Sequence, residues 1–354
     1  MSRAANFEVL AGARAAAHLR ANGLAARDVA CVPAAAGGPK GLALIPLDKL
    51  LFGGWFAGVQ RQRPLQLIGS SVGAWRMAAA AQLRPSEALQ RLADYYTGQR
   101  YGRRPTPRQV SDVMRALVRV ILLGPRLEAR DDVSLAVVTS RGRGRLARDH
   151  SRAAFARAAI DNLRDRALLA QHLERVVFQM APMPWLQPPH DAFGTVQVPL
   201  DIYNVVDALR ASGSIPIVCE PVDSPSGAPR GAYWDGGMID YHLLLPYNRI
   251  DGIVLYPHFV PYVTPGWLDK QLPWRNRPRR HPWLENVLLI CPSRRFLTRL
   301  PNGKLPDRTD FRRYGADDTA RMQAWRRAIS ECERFAEEAM AWIERPDVSM
   351  IREL

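Results

Sequence analysis

Short apolar runs and longer amphipathic stretches alternate along this chain. The short runs, at 29–32, 65–68, 135–139, 176–179, 195–198, 253–256 and 287–290, are the pattern of buried strands, several of them closed by small or turn-forming residues. Apolar residues recurring three and four apart predict helices over 42–51, 71–83, 86–96, 108–123, 200–212 and 317–343. The helix over 200–212 has a stop signal in Gly213 with Pro216 beyond it. Phe7, Leu10, Ala11 and Leu19 predict a first amphipathic helix inside an alanine- and arginine-rich segment that superficially looks like a transit peptide but has no apolar signal core. Two strand–turn–helix units between residues 29 and 83 predict a parallel sheet covered by helices. Residues 141–152, rich in glycine and arginine, and 261–283, rich in proline, aromatics and arginine, predict surface excursions. The domain expectation is an N-terminal helix at 1–28, an α/β domain at 29–260, and an extension at 261–354 of loop, strand and long helix packed on the same domain.

Three glycine motifs punctuate this pattern in a fixed order. Gly37-Gly38-Pro39-Lys40-Gly41 follows the first strand, Gly69-Ser70-Ser71-Val72-Gly73 follows the second, and Asp235-Gly236-Gly237 ends a later one. At ordinary glycine frequencies a chance Gly-x-Ser-x-Gly arises in roughly one chain in ten of this length, and Gly-Gly-x-Lys-Gly in on the order of one in a hundred. Gly-x-Ser-x-Gly at a strand-to-helix turn exposes Ser71 as a nucleophile, while Gly69 and Gly73 allow close backbone packing. Successive glycines at a helix start aim N–H groups at one point, so Gly37, Gly38 and Gly41 suit an oxyanion, with Lys40 reinforcing the field. A nucleotide cradle fits less well, because Gly41 and Leu42 follow the lysine where a Walker loop needs Ser or Thr. None of the seven histidines sits in a catalytic motif, whereas Asp235 closes a strand and is followed by two glycines.

These three motifs in this order resemble the patatin-like phospholipase family. The resemblance implies a three-layer α/β/α fold with a mostly parallel central sheet, here with a helical C-terminal extension. It also implies an enzyme that hydrolyses acyl esters of lipids through a Ser-Asp dyad without metal or organic cofactor. It carries Ser71 over as nucleophile, Asp235 as general base, and Gly37, Gly38, Lys40 and Gly41 as the oxyanion loop, supported by Gly69, Gly73, Gly236 and Gly237. The block at 208–216 (Ala-Leu-Arg-Ala-Ser-Gly-Ser-Ile-Pro) is similar to one that precedes the family's aspartate. Two departures stand out: Ala36 replaces a further glycine, and Pro39 removes a donor. A Ser-His-Asp triad using His258 or His281 stays open as an alternative, as does a catalytically silent membrane-binding scaffold of the same fold.

Composition changes this picture little. The formal charge is +15, but the basic residues are 45 arginines and four lysines, a bias that does not by itself point to nucleic acid, and none is expected as a partner. Cys31, Cys219, Cys291 and Cys332 show no Cys-x-x-Cys spacing and suit a reduced, cytoplasmic protein. The apolar runs are too short to span a membrane. Peripheral contact with an anionic membrane is expected from two stretches, each with a plainer reading as core helix or surface loop. One is the helix carrying Val110, Val113, Met114, Leu117, Val118, Ile121 and Leu122 beside Arg115 and Arg119. The other interleaves Trp267, Trp274 and Trp283 with Arg275, Arg277, Arg279 and Arg280.

Overall fold

The short apolar runs assemble into one eleven-stranded mixed sheet in the computed structural model, which describes residues 5–102, 104–148, 150–272, 274–275 and 280–354. The strands are β1 (Phe7–Ala11), β2 (Val29–Ala34), β3 (Leu65–Ser70), β4 (Val133–Gly142), β5 (Leu173–Gln179), β6 (Thr195–Pro199), β7 (Val222–Asp223), β8 (Ala232–Asp235), β9 (Ile253–Pro257), β10 (Val287–Pro292) and β11 (Ile351–Glu353). The main path runs β11-β1-β10-β9-β2-β3-β4-β5-β6, with β8 pairing β4 and β7. From β10 through β9, β2 and β3 to β4 every pairing is parallel. These central strands are buried on both faces and read as continuous apolar runs, as helix-covered parallel strands must. Strands from 1–28 and from 261–354 thus enter the same sheet as those of 29–260.

The helices are α1 (Ala13–Asn22), α2 (Ile45–Leu50), α3 (Val72–Ala80), α4 (Pro85–Gly98), α5 (Pro107–Leu122), α6 (Arg152–Arg164), α7 (Val205–Gly213), α8 (Arg294–Leu297), α9 (Thr309–Tyr314) and α10 (Asp318–Glu344). The arrangement is α/β with a mostly parallel central sheet, consistent with three layers. α10 buries Trp325, Cys332, Phe335, Ala336, Ala339 and Ile343, a three-and-four spacing that lays one face against α2 and α4. The larger of these, such as Phe335 and Ile343, each contribute roughly 1.5–3 kcal/mol when removed from water. Beneath α3, Arg76 donates to both carboxylate oxygens of Asp48 on α2 at 2.7 and 2.8 Å, with neither side chain exposed.

Three sequence expectations are corrected. The predicted first helix begins as strand β1, because the apolar run Phe7–Ala11 gains a backbone ladder on both sides, from β10 and from β11; the helix starts only at Ala13. The predicted loop over 141–152 starts as the end of β4, where β5 and β8 pair both edges and Arg141 is held by Glu174 at 2.7 Å. The expected helix over 42–51 opens as a 3-10 turn, Gly38–Leu44, which hands over to α2 where Pro46 fits the first helical turn.

Helix α5 turns Met114, Leu117, Val118, Ile121 and Leu122 into the core, so this apolar face is not available to a lipid surface. In the other stretch proposed for membrane contact, Trp267 and Trp274 are exposed, Arg275 is ion-paired with Asp269 and Arg280 with Glu353. Arg277 and Arg279 lie outside the described residues. Among the described residues, no helix is long and apolar enough to cross a membrane. All four cysteines are buried free thiols.

Candidate active site

Strands β3 and β8 lie end to end along one edge of β4. Parallel β3 ends with Ser70 opposite Val138, and antiparallel β8 ends with Asp235 opposite the next residue, Thr139. The carboxyl ends of the two strands therefore face each other, and the residues that leave them are forced together. Across a separation of 164 residues, the Ser71 hydroxyl donates to Asp235 Oδ2 at 2.7 Å.

Ser71 occupies the turn between β3 and α3 with φ 55° and ψ −128°, a strained conformation of the kind stored at functional sites at a cost of about 1–3 kcal/mol. The flanking glycines make the turn feasible. A Cβ on Gly73 would lie 1.9 Å from the Ala34 carbonyl oxygen of β2, and one on Gly69 would lie 2.5 Å from the Ala74 backbone. Although Ser71 is the N-cap residue of α3, its side chain does not cap the helix and is committed to Asp235 instead. The adjacent Ser70 is wholly buried, and its hydroxyl has no hydrogen-bond partner.

The block at 208–216 holds both residues. Ser212 on α7 accepts the Ser71 amide at 2.9 Å while its own hydroxyl donates to the Val138 carbonyl at 2.7 Å. The Ser214 carbonyl accepts the Asp235 amide at 2.8 Å. The second carboxylate oxygen of Asp235 accepts the Gly237 amide at 2.7 Å, while Gly236 packs beneath on the Val138 carbonyl. The resemblance drew attention to this block only as a pattern; its role as a clamp follows from the register of β4 and the position of α7.

Opposite the dyad, the glycine loop leaves β2. Gly38 adopts φ 57°, the left-handed region that favours glycine, and Gly37 and Gly38 line a cavity of about 220 Å³ together with Ser71, Asp235 and Lys40. Among the described residues, neither the Gly37 nor the Gly38 amide donates to a protein acceptor. Lys40 is half-buried with Nζ 5.4 Å from the Phe259 ring centroid. Gly41 stands back from the cavity, buried against Val72 and Arg76, so it seats the loop on α3. A second, apolar cavity of about 1080 Å³ also borders Ser71, lined by Trp75, Tyr96, Met114, Val218 and Phe311 among others. Ser71, Ile215 and Arg308 border both cavities.

Burial pushes the Asp235 carboxyl up to about 6, although the Ser71 hydrogen bond, the Arg308 charge and the Gly237 amide each pull it down. A carboxylate poised near neutrality is a competent base for a serine proton it already touches. Burial together with the neighbouring Lys270 holds Lys40 below the usual lysine range.

Among the described residues, no histidine lines either cavity. His258 is buried, stacks on Phe259 and makes its ring hydrogen bond to the Val260 carbonyl at 2.7 Å. Burial drives it down to about 3, so it stays neutral. His281 caps a 3-10 turn at Trp283. Among the described residues no set of three or more His, Cys, Asp or Glu side chains is placed to hold a metal ion. Arg308 and Lys270, which border the site, come from segments with no motif, and nothing in the sequence singles them out. In comparisons with known proteins, no family model matches this chain and neither does any curated protein.

Proposed function

We propose that the chain is a serine acyl hydrolase of the patatin-like kind, acting on acyl esters of lipids through the Ser71–Asp235 dyad. The observation that carries this reading is the 2.7 Å hydrogen bond from a strained turn serine to a buried carboxylate, at the junction of an apolar and a polar cavity. Ser71 Oγ attacks the ester carbonyl as Asp235 takes its proton, a transfer worth about 10²–10⁴ in rate. The Gly37 and Gly38 amides receive the developing oxyanion, each such donor contributing about 10²–10³. The proton passes from Asp235 to the departing alcohol, leaving an acyl-serine. Asp235 then deprotonates a water that attacks this ester, and gives that proton to Ser71 Oγ as the acyl–Oγ bond breaks and the carboxylic acid departs. The apolar cavity suits the acyl chain.

A fluorophosphonate probe tests the reading, since it labels only an activated serine. Labelling of the wild type that disappears in Ser71→Ala, together with loss of p-nitrophenyl ester hydrolysis, is the expected result. An unlabelled wild type, or a labelled Ser71→Ala, would refute it.

A further inference from the structure

Two buried charges join the elements that carry the two halves of the site. Gly37 and Gly38 lead through the 3-10 turn Gly38–Leu44 directly into α2, and Ser71 is the residue from which α3 starts. Asp48 lies on α2, ten residues beyond Gly38, and Arg76 lies on α3, five beyond Ser71. Their side chains form a two-pronged ion pair, Arg76 Nε donating to Asp48 Oδ2 at 2.7 Å and Arg76 Nη2 to Asp48 Oδ1 at 2.8 Å, with neither side chain exposed. The glycine loop rests on the same helix, since a Cβ on Gly41 would lie 2.9 Å from the γ carbons of Val72 and 3.4 Å from Arg76 Cδ. Helix α10 packs on both α2 and the 3-10 turn.

Such a pair is a poor device for stability alone. Desolvating both charges offsets much of their attraction, and apolar side chains of similar volume often hold a core as well or better. Arg76 Nη1 is buried with no hydrogen-bond partner among the described residues, a further cost that an apolar pair would avoid. What the fork adds over apolar packing is direction. Two parallel hydrogen bonds fix the distance and tilt of the carboxylate against the guanidinium plane, and so of α2 against α3. Oxyanion donors need that precision, because a catalytic group must be held within about 0.5 Å of its productive place. Two successive glycines have no side chains with which to anchor the Gly37 and Gly38 amides themselves.

Resting on the hydrolase reading above, we infer that Asp48 and Arg76 are positioning residues, their ion pair setting the oxyanion loop at its working distance from Ser71 Oγ. Neither lines the cavities at Ser71. The pair acts through the 3-10 turn on one side and through the start of α3 on the other.

Replacing the pair by apolar side chains, Asp48→Val together with Arg76→Met, tests this against a purely structural role. Urea titration should find the double variant about as stable as the wild type. Its kcat on p-nitrophenyl esters should nevertheless fall about 10²-fold with KM changed by less than about threefold, since a misplacement of about 1 Å weakens the transition state far more than the bound ester. Arg76→Lys keeps the charge but meets the carboxylate as a point, so its kcat should fall about tenfold, the scale of one charge-assisted hydrogen bond. This single variant carries the test if the double one does not fold. Hydrogen exchange of the amides over 40–50 should quicken in both variants while that of β10 stays unchanged. Wild-type kcat in a folded variant, a loss expressed mainly in KM, or unchanged exchange over 40–50 would overturn the inference. Exchange needs no turnover, so a failed positioning role is distinguishable from a failed hydrolase, which the fluorophosphonate probe reports on the wild type.

Discussion

Replacing Asp235 by Asn separates the chemistry of the dyad from its cost to the fold. Asn keeps an oxygen to accept the Ser71 hydroxyl but cannot take its proton, so hydrolysis should fall about 10³-fold, within the range for loss of a general base. Stability should move the other way. Asp235 has its carboxyl raised from 3.8 to about 6, chiefly by burial. Around pH 5 it is therefore protonated in the folded chain and ionised in the unfolded one. The folded state holds the extra proton, so the wild type loses stability as pH rises from about 4 to about 6. Raising the carboxyl from 3.8 to about 6 corresponds to about 3 kcal/mol, withdrawn in full above pH 6. Asn, neutral throughout, escapes this loss. Urea unfolding of both proteins between pH 3.5 and 8 should show the stability difference growing in favour of Asn by about 3 kcal/mol across that window and then levelling. In the wild type, kcat/KM should drop tenfold per pH unit below about pH 6. Parallel stability curves, or retention of more than a tenth of the activity, would refute the reading of Asp235 as a buried base.

Other outcomes follow from single contacts. Ser70→Ala should keep probe labelling and most activity, since its hydroxyl is buried without a partner; labelling that moves with Ser70 would show the wrong nucleophile. Gly73→Ala should destabilise by more than about 3 kcal/mol in urea titration or fail to fold, because its Cβ would overlap the Ala34 carbonyl at 1.9 Å. Asp48→Ala should cost about 3–5 kcal/mol by stranding the buried Arg76 charge; a loss under 1 kcal/mol in the same titration would contradict this. Contact of the exposed Trp267 and Trp274 with an anionic membrane should appear in flotation as binding to anionic vesicles that Trp274→Ser weakens, and that rising salt weakens through screening over about 8 Å. No flotation at low salt would dismiss that contact.

The chain's own pattern was enough to locate most of the elements and to name the two residues that the fold brings together in the candidate site. Strands β2, β3, β9 and β10 are continuous apolar runs, and the three glycine motifs are local signals because a tight turn or a close backbone approach admits few residue types. Where local and tertiary preferences compete, the sequence misleads. Phe7–Ala11 fits a helical period as well as a strand, and pairing with β10 and β11, hundreds of residues away, decides it. Sequence alone named Ser71 and Asp235 but had no means of bringing them together. That contact depends on β3 and β8 abutting on consecutive residues of β4, a matter of register, which no local pattern encodes. Arg308, Lys270 and the apolar cavity were invisible for the same reason. Their meaning lies in where separate segments converge around Ser71, and convergence is a property of packing in three dimensions.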